Sequence, residues 1–168
     1  MDEWANLVQQ HGPAVYRSAW RLLGNEADAA DCYQDAFVSA VKISRRTTVR
    51  SWPALLHRLV TVRALDRLRQ RARASRRRED GDPGQVPSRR AGPLEQLQAD
   101  ELAGRLRTVL ATLPPKWAQA FCLRTFDELS YEQIAEAMDV PAAQVGVLLH
   151  RCRARLRELL DASEVHHD

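Results

Sequence analysis

Histidine and carboxylate side chains, the usual acid–base groups, occur in this sequence without a spacing that brings them together. None of the five histidines has a Cys or carboxylate partner at metal-ligand spacing, and the adjacent His166 and His167 follow the last predicted helix. Asp31 and Asp35 share a helix face at i, i+4, and we interpret that face as an exposed acidic edge rather than a catalytic pocket. No Gly-rich phosphate-binding loop is present. We therefore expect a binding protein, not an enzyme, with no catalytic residue, metal or cofactor.

The composition indicates a folded protein of a reducing compartment. The 168 residues are 45% hydrophobic and 28% charged, which is typical of a globular chain. Cys32, Cys122 and Cys152 are widely separated and flanked by apolar residues, which favours a core position over a disulfide or zinc site. The sequence has no apolar run of about 20 residues and no signal-peptide pattern at its start. We expect a cytoplasmic protein without membrane insertion.

Positive charge is concentrated in the middle of the chain. Residues 63–90 carry ten arginines against four acidic residues, whereas residues 91–168 carry more acidic than basic side chains. Arginine binds phosphate groups through paired hydrogen bonds, so this block indicates a polyanionic partner. A solvated helix face that continues into a basic linker explains the block equally well.

Apolar periodicity predicts helices throughout, in two groups. The first group has a helix that ends at Gly24, a second that Asn25 caps and that runs to Lys42, and a third that Ser51 caps. We expect Pro13 to kink the first helix or to begin a new one. A polar break at residues 44–50 separates the second helix from the third.

A Gly- and Pro-rich segment divides the two groups of helices. We interpret residues 79–92 as a flexible basic linker between a domain at 1–78 and a domain at 93–162, with a tail at 163–168. Ser130 and Gln133 form a capping box at the start of a short helix, and a turn at residues 139–141 leads to a long helix that ends near Leu160. This pattern predicts a helix-turn-helix, although a helix corner used only for packing fits the same segment. The predicted fold class is all-α, with two small helical domains and a C-terminal helix-turn-helix.

These segments, in this order, resemble the bacterial RNA polymerase sigma factors of the sigma-70 family, in particular the small extracytoplasmic-function (ECF) class. The motif Asp31-x-x-Gln34-Asp35-x-Phe37 is similar to the family's polymerase-docking helix. Residues 64–69 are similar to the end of the promoter-melting helix. The helix-turn-helix domain of the family is matched by residues 113–117, 129–140 and 150–160.

The resemblance implies core RNA polymerase and promoter DNA as partners, leaves open whether an anti-sigma factor is a third, and assigns residues to three contacts. Core polymerase would be bound by Asp28, Asp31, Gln34, Asp35 and Phe37. The −10 element, including an unstacked base captured by the loop at 44–52, would be bound by Arg45, Arg46, Thr47, Arg50, Trp52, Arg58, Thr61, Val62, Arg63, Arg67 and Arg69. The −35 element would be bound by Ser130, Tyr131, Gln144, Val147, Leu148, Arg151 and Arg155.

Two departures from the family pattern concern DNA readout. Val62 replaces the usual Asn of the melting helix, which predicts an unusual −10 preference. The recognition helix has Gln-Val-Gly-Val-Leu-Leu at 144–149, where the family commonly has Thr-Val-Lys-Ser-Arg-Leu. We expect Val145 and Leu149 to be buried, Val147 and Leu148 to face DNA, and −35 recognition to be weak.

Two other functions fit parts of the sequence. A stand-alone dimeric helix-turn-helix regulator leaves the acidic helix and the loop at 44–51 without a role. A sigma-like adaptor that binds polymerase or regulators without reading promoters is favoured by the apolar recognition helix.

Overall fold

In the described part of the chain, residues 2–79 and 93–165 of a computed structural model, α-helices joined by short loops make up the structure. The helices are α1 (Asp2–Leu23), α2 (Glu26–Ser44), α3 (Trp52–Glu79), α4 (Leu94–Leu110), α5 (Pro115–Thr125), α6 (Tyr131–Met138) and α7 (Ala142–Val165). The all-α fold class is thus confirmed. Residues 80–92, which hold nearly all of the predicted flexible linker, and residues 166–168 of the predicted tail lie outside the described residues.

The first three helices pack against one another in pairs. α1 continues through Pro13, so the expected kink or restart does not interrupt the helix. Gly24 ends α1 with a left-handed φ of 70°, a conformation that glycine adopts at little cost. Asn25 then caps α2, since its side chain accepts a hydrogen bond from the backbone N–H of Asp28 at 2.9 Å.

α5, α6 and α7 form the helix-turn-helix. The capping box is present in both directions: Gln133 N–H donates to Ser130 Oγ at 3.1 Å, and Ser130 N–H donates to Gln133 Oε1 at 2.8 Å. Asp139 ends α6 in the left-handed region with a φ of 54°, which turns the chain toward α7. α7 extends to Val165, beyond the predicted end near Leu160 and into the predicted tail.

The N-terminal and C-terminal helices share one hydrophobic core. α3 contacts α4, α5 and α6 as well as α1 and α2. A single buried cluster contains Val60 and Leu65 of α3 together with Leu110, Leu113 and Cys122 of the C-terminal half. The two helical domains predicted from the sequence are therefore confirmed, and in this structure they pack against each other. Each half has only about 70 residues and a small core of its own, so burying apolar surface between the halves adds stability.

None of the helices in residues 2–79 and 93–165 combines the length and the apolar character that crossing a bilayer requires.

Candidate nucleic-acid and partner-binding surfaces

One exposed face of α2 carries most of the predicted polymerase-binding residues. Asp31, Gln34 and Asp35 are exposed, and Val38 on the same face is 53% exposed. Their spacing of i, i+3, i+4 and i+7 places the four side chains along one line of the helix surface. We call this set the α2 ridge. Val38 was not predicted as a contact. Its position seven residues after Asp31 places it on the same helix face, and this spacing could have identified it from the sequence.

Two other residues of the predicted polymerase set have roles inside the fold. Phe37 is only 9% exposed and packs on Tyr33, with ring centroids 4.9 Å apart, so its prediction as a polymerase contact is wrong. The period-3.6 geometry of α2 turns Phe37 toward α1 and α3. Asp28 binds the guanidinium of Arg71 and lies 3.8 Å from that of Arg67. The hydrogen bond from Arg71 lowers the pKa of Asp28, so this carboxylate joins α2 to α3.

The loop between α2 and α3 presents the first group of predicted −10 contacts. Arg45, Arg46, Thr47 and Arg50 are all exposed. Trp52, which begins α3, is half-buried and packs edge-on against Trp4, with the ring centroids 5.3 Å apart. Trp52 thus anchors the loop to α1.

The predicted −10 residues of α3 divide between the surface and the core. Arg63 is exposed and Val62 is half-buried. Thr61 is 1% exposed, and its Oγ1 has no hydrogen-bond partner among the described residues, so its prediction as a DNA contact is wrong. It lies four residues after His57 on the side of α3 that faces the other helices. Arg58 is half-buried beside the loop, with an Nε that is buried and likewise lacks a hydrogen-bond partner in the described part of the chain.

Two more α3 arginines already have carboxylate neighbours within the chain. Arg67 lies 3.5 Å from Asp31 of the α2 ridge, and Arg69 lies 3.1 Å from Asp66. Such partly exposed ion pairs are worth only about 0–1 kcal/mol, so a phosphate group can compete for these guanidinium groups.

The first turns of α7 and the start of α6 form the candidate −35 surface. Gln144, Arg151 and Arg155 are exposed, and Val147 is 45% exposed. Arg155 is 2.9 Å from Glu158 on the same helix. The Ser130 hydroxyl accepts the capping hydrogen bond described above, which assigns it a structural role as well.

Tyr131 belongs to the same surface and has a partner that sequence reasoning missed. Its ring is 38% exposed, and the guanidinium of Arg124 lies over it, 5.4 Å from the ring centroid. Arg124 also donates to the carbonyl oxygen of Leu129 at 3.0 Å, which holds the guanidinium beside the ring. Arg124 comes from the end of α5, so only the packing of the helices reveals this pair.

Leu148 was predicted to face DNA, and the structure shows that this is wrong. Its side chain is 4% exposed and belongs to the helix-turn-helix core with Val145 and Leu149. Buried residues of α7 recur at i, i+3, i+4 and i+7, as in Val145, Leu148, Leu149 and Cys152. The stripe is therefore wider than the two positions assumed from the sequence.

Sequence similarity to known proteins extends over both halves of the chain. The family models for Sigma-70 region 2 and Sigma-70, region 4 match residues 7–74 and 103–156. A probable RNA polymerase sigma factor of Haemophilus influenzae is 30% identical over 160 residues, with 83% of this chain and 81% of that protein covered. The ECF RNA polymerase sigma factor SigW of Bacillus subtilis is 28% identical over 167 residues, with 95% of this chain and 89% of that protein covered.

A longer relative and a solved structure agree with these matches. The ECF RNA polymerase sigma factor SigE of Mycolicibacterium smegmatis is 33% identical over 160 residues. The match includes 95% of this chain but only 62% of the length of SigE. The sigma factor RpoE of Bartonella quintana, solved in complex with the anti-sigma factor NepR, shares the fold at 22% identity. The TM-score is 0.58, with 96% of this chain and 98% of that chain covered. The chain belongs to the sigma-70 family of RNA polymerase sigma factors, and two of the relatives it resembles are named as ECF factors. Sigma factors are transcription initiation factors without an enzymatic activity of their own.

Proposed function

We propose that this chain binds core RNA polymerase and directs it to promoters, where it recognises the −10 element and helps to open the duplex. The observation that supports this most strongly is the presence, on one chain, of the exposed α2 ridge and of two separate candidate DNA surfaces. We expect the protein to act in the cytoplasm, with an anti-sigma factor as a further partner.

The α2 ridge has the composition of a protein-docking surface. Asp31 and Asp35 give it negative charge, which would steer it to a basic surface of polymerase and fix the register of the complex. Val38 adds an exposed apolar side chain beside them, and removing it from water on docking would contribute to binding.

The loop at 45–50 and the exposed face of α3 would bind the −10 element. Arg45, Arg46 and Arg50 are exposed on the loop and would bind phosphate groups of a separated strand, and Arg63, exposed on α3, would extend this positive surface. Extruding a base from the duplex costs a few kcal/mol, and binding to such a surface offsets this cost.

The candidate −35 surface would read DNA with little help from charge. Gln144 offers an amide that pairs with adenine in the major groove, and Val147 offers a methyl contact to thymine. The first arginine after Gln144 on α7 is Arg151, two turns along the helix, and Arg124 adds a second positive charge beside Tyr131. We expect weak −35 binding with a preference for A·T pairs.

A charge reversal on the α2 ridge tests the polymerase contact. The double substitution Asp31→Arg and Asp35→Arg should reduce binding to core polymerase at least tenfold in a pull-down titration and abolish run-off transcription. The control variant carries Glu95→Arg and Glu101→Arg, an equal charge change at exposed positions of α4, and should bind as the wild type does. Undiminished binding of the α2 variant would contradict the proposal.

Two further assays separate the other functions. A dimeric regulator would shift a promoter duplex well without polymerase, whereas the proposed sigma factor should need the holoenzyme. A sigma-like adaptor would bind core polymerase and yield no promoter-specific transcript.

A further inference from the structure

We propose that a cleft between the end of α3 and α4 binds an oligophosphate anion, the chemistry shared by nucleoside triphosphates and inorganic polyphosphate. The cleft has a volume of about 520 Å³, which is within the range of small-molecule sites. Guanidinium and hydroxyl groups line it, from Arg71, Arg76, Arg107, Ser75, Thr108 and Thr112. This inference goes beyond the proposed function and does not depend on it.

The cleft carries positive charge that the fold neutralises only in part. None of the described residues that line it is acidic, and Asp28 binds the guanidinium of Arg71 from outside the lining. Arg76 and Arg107 have no carboxylate at ion-pair distance in the described part of the chain. Burial lowers the pKa of Arg107, the charge of Arg71 lowers it further, and Asp100 opposes both effects. A bound polyanion would relieve the repulsion between these two guanidinium groups.

The backbone at the end of α1 fixes two of the guanidinium groups before any ligand binds. Arg107 donates from Nε and Nη2 to the carbonyl oxygen of Arg21, at 3.3 and 3.1 Å. Arg71 donates from Nη1 to the carbonyl oxygen of Leu23 at 2.8 Å. Gly24 leaves room for the Arg107 guanidinium, because a Cβ at this position would lie 2.9 Å from its Cζ. A guanidinium has five N–H donors, so both arginines keep donors for phosphate oxygens, and their fixed positions reduce the entropy lost on binding.

The shape and chemistry of the cleft favour a small oligophosphate over a nucleic-acid strand. The arginines surround a concave space between two helices, which suits a compact ligand better than a long polymer. Arginine binds phosphate through paired hydrogen bonds, and several guanidinium groups match the several charges of a triphosphate. Leu68 and Ala111 add apolar surface to the lining, which can contact the nucleoside part of a nucleotide.

Isothermal titration calorimetry of the full chain at about 0.15 M salt tests the site, with inorganic triphosphate and ATP as the probes. The variant Gly104→Glu places a carboxylate in the cleft and should weaken the binding of both probes at least tenfold. Apart from its own helix backbone, nothing in the described chain lies within 4 Å of a Cβ at this position, so the fold accommodates the new side chain. Gly104→Ala adds only the Cβ and is the matched control, with affinity within twofold of the wild type. Both variants should keep the helix content of the wild type by circular dichroism.

A second pair of variants tests the arginines themselves. Arg107→Gln should weaken triphosphate binding at least tenfold. Arg78→Gln removes an exposed arginine of α3 that does not line the cleft, and it should bind within twofold of the wild type. Equal losses in the two variants would show attraction by net charge alone and would overturn the proposal, as would a wild type that binds neither probe.

The probes also distinguish the sources of the ligand. Tighter binding of ATP than of inorganic triphosphate identifies a nucleotide, and equal binding identifies the phosphate chain alone; both support the site. A single-stranded DNA oligonucleotide should bind the Gly104→Glu variant as it binds the wild type. A tenfold loss of DNA binding in this variant would instead assign the cleft to nucleic acid and refute the proposal. None of these measurements uses polymerase, so they decide the cleft separately from the transcription assay that decides the proposed function.

Discussion

Asp28 gives the sharpest test of how α2 divides its acidic residues between folding and docking. The sequence resemblance assigned Asp28 to polymerase, whereas the structure pairs it with Arg71 and Arg67 of α3. Asp28→Asn removes the charge and keeps the shape of the side chain. Asp35→Asn is the matched control, because Asp35 is exposed on the α2 ridge.

The expected loss of stability follows from the burial of the ion pair. Hydrogen bonds to charged groups contribute about 1.5–3 kcal/mol, and exposed ion pairs about 0–1 kcal/mol. The Asp28 side chain is 26% exposed, so solvent screens it in part and about 1–2 kcal/mol is expected. A chain of 168 residues unfolds with an entropy of about 0.35 kcal/mol/K, which converts this loss to a Tm decrease of about 3–6 °C.

The pH dependence has a defined sign. Because Arg71 lowers the folded-state pKa of Asp28 below its ordinary value of 3.8, the stabilisation is fully present above that value. It is lost as the pH falls through the folded-state pKa. The Tm difference between the wild type and Asp28→Asn should therefore be constant from pH 7 to 5 and shrink below about pH 4.

Thermal unfolding by circular dichroism and a polymerase pull-down measure the two roles separately. Asp28→Asn should lower the Tm and leave polymerase affinity within about twofold. Asp35→Asn should leave the Tm unchanged and weaken polymerase binding. An unchanged Tm with weakened polymerase binding for Asp28→Asn would refute this reasoning and return Asp28 to the docking surface.

Three further predictions concern the C-terminal half and the cysteines. Ser130→Ala removes the capping box and should destabilise the protein by about 1 kcal/mol in urea unfolding. Val147→Arg places a positive charge on the exposed face of α7 and should tighten holoenzyme binding to a −35 duplex; weaker binding would contradict the assigned orientation. Burial raises the pKa of all three thiols, that of Cys152 to about 11, so a thiol reagent at pH 8 should react slowly until urea unfolds the protein.

Local sequence signals predicted the helices and their ends well. The residues that begin and end helices act through contacts within four residues, so the sequence alone predicts their roles. They are Gly24, Asn25 and the pair Ser130 and Gln133. The outward placement of Gln34 and Asp35 follows in the same way from helical periodicity.

Local sequence patterns did not predict the contacts between segments that are distant in the sequence. The family resemblance assigned Thr61 and Leu148 to DNA, whereas packing against other helices buries both side chains. The partnership of Asp28 with Arg71 joins residues 43 positions apart. Asp127 meets Ser18 across 109 positions, and no local pattern marks either residue.

The shared core has a consequence for the lifetime of the protein in the cell. Leu110, Leu113 and Cys122 are almost fully buried in a cluster that also contains Val60 and Leu65 of α3. If the two halves separate on a promoter, these apolar side chains lose their cover and need polymerase to shield them. A molecule released from polymerase must then fold back on itself or become a substrate for proteases. The rate of proteolysis would thus rise with the excess of this chain over polymerase.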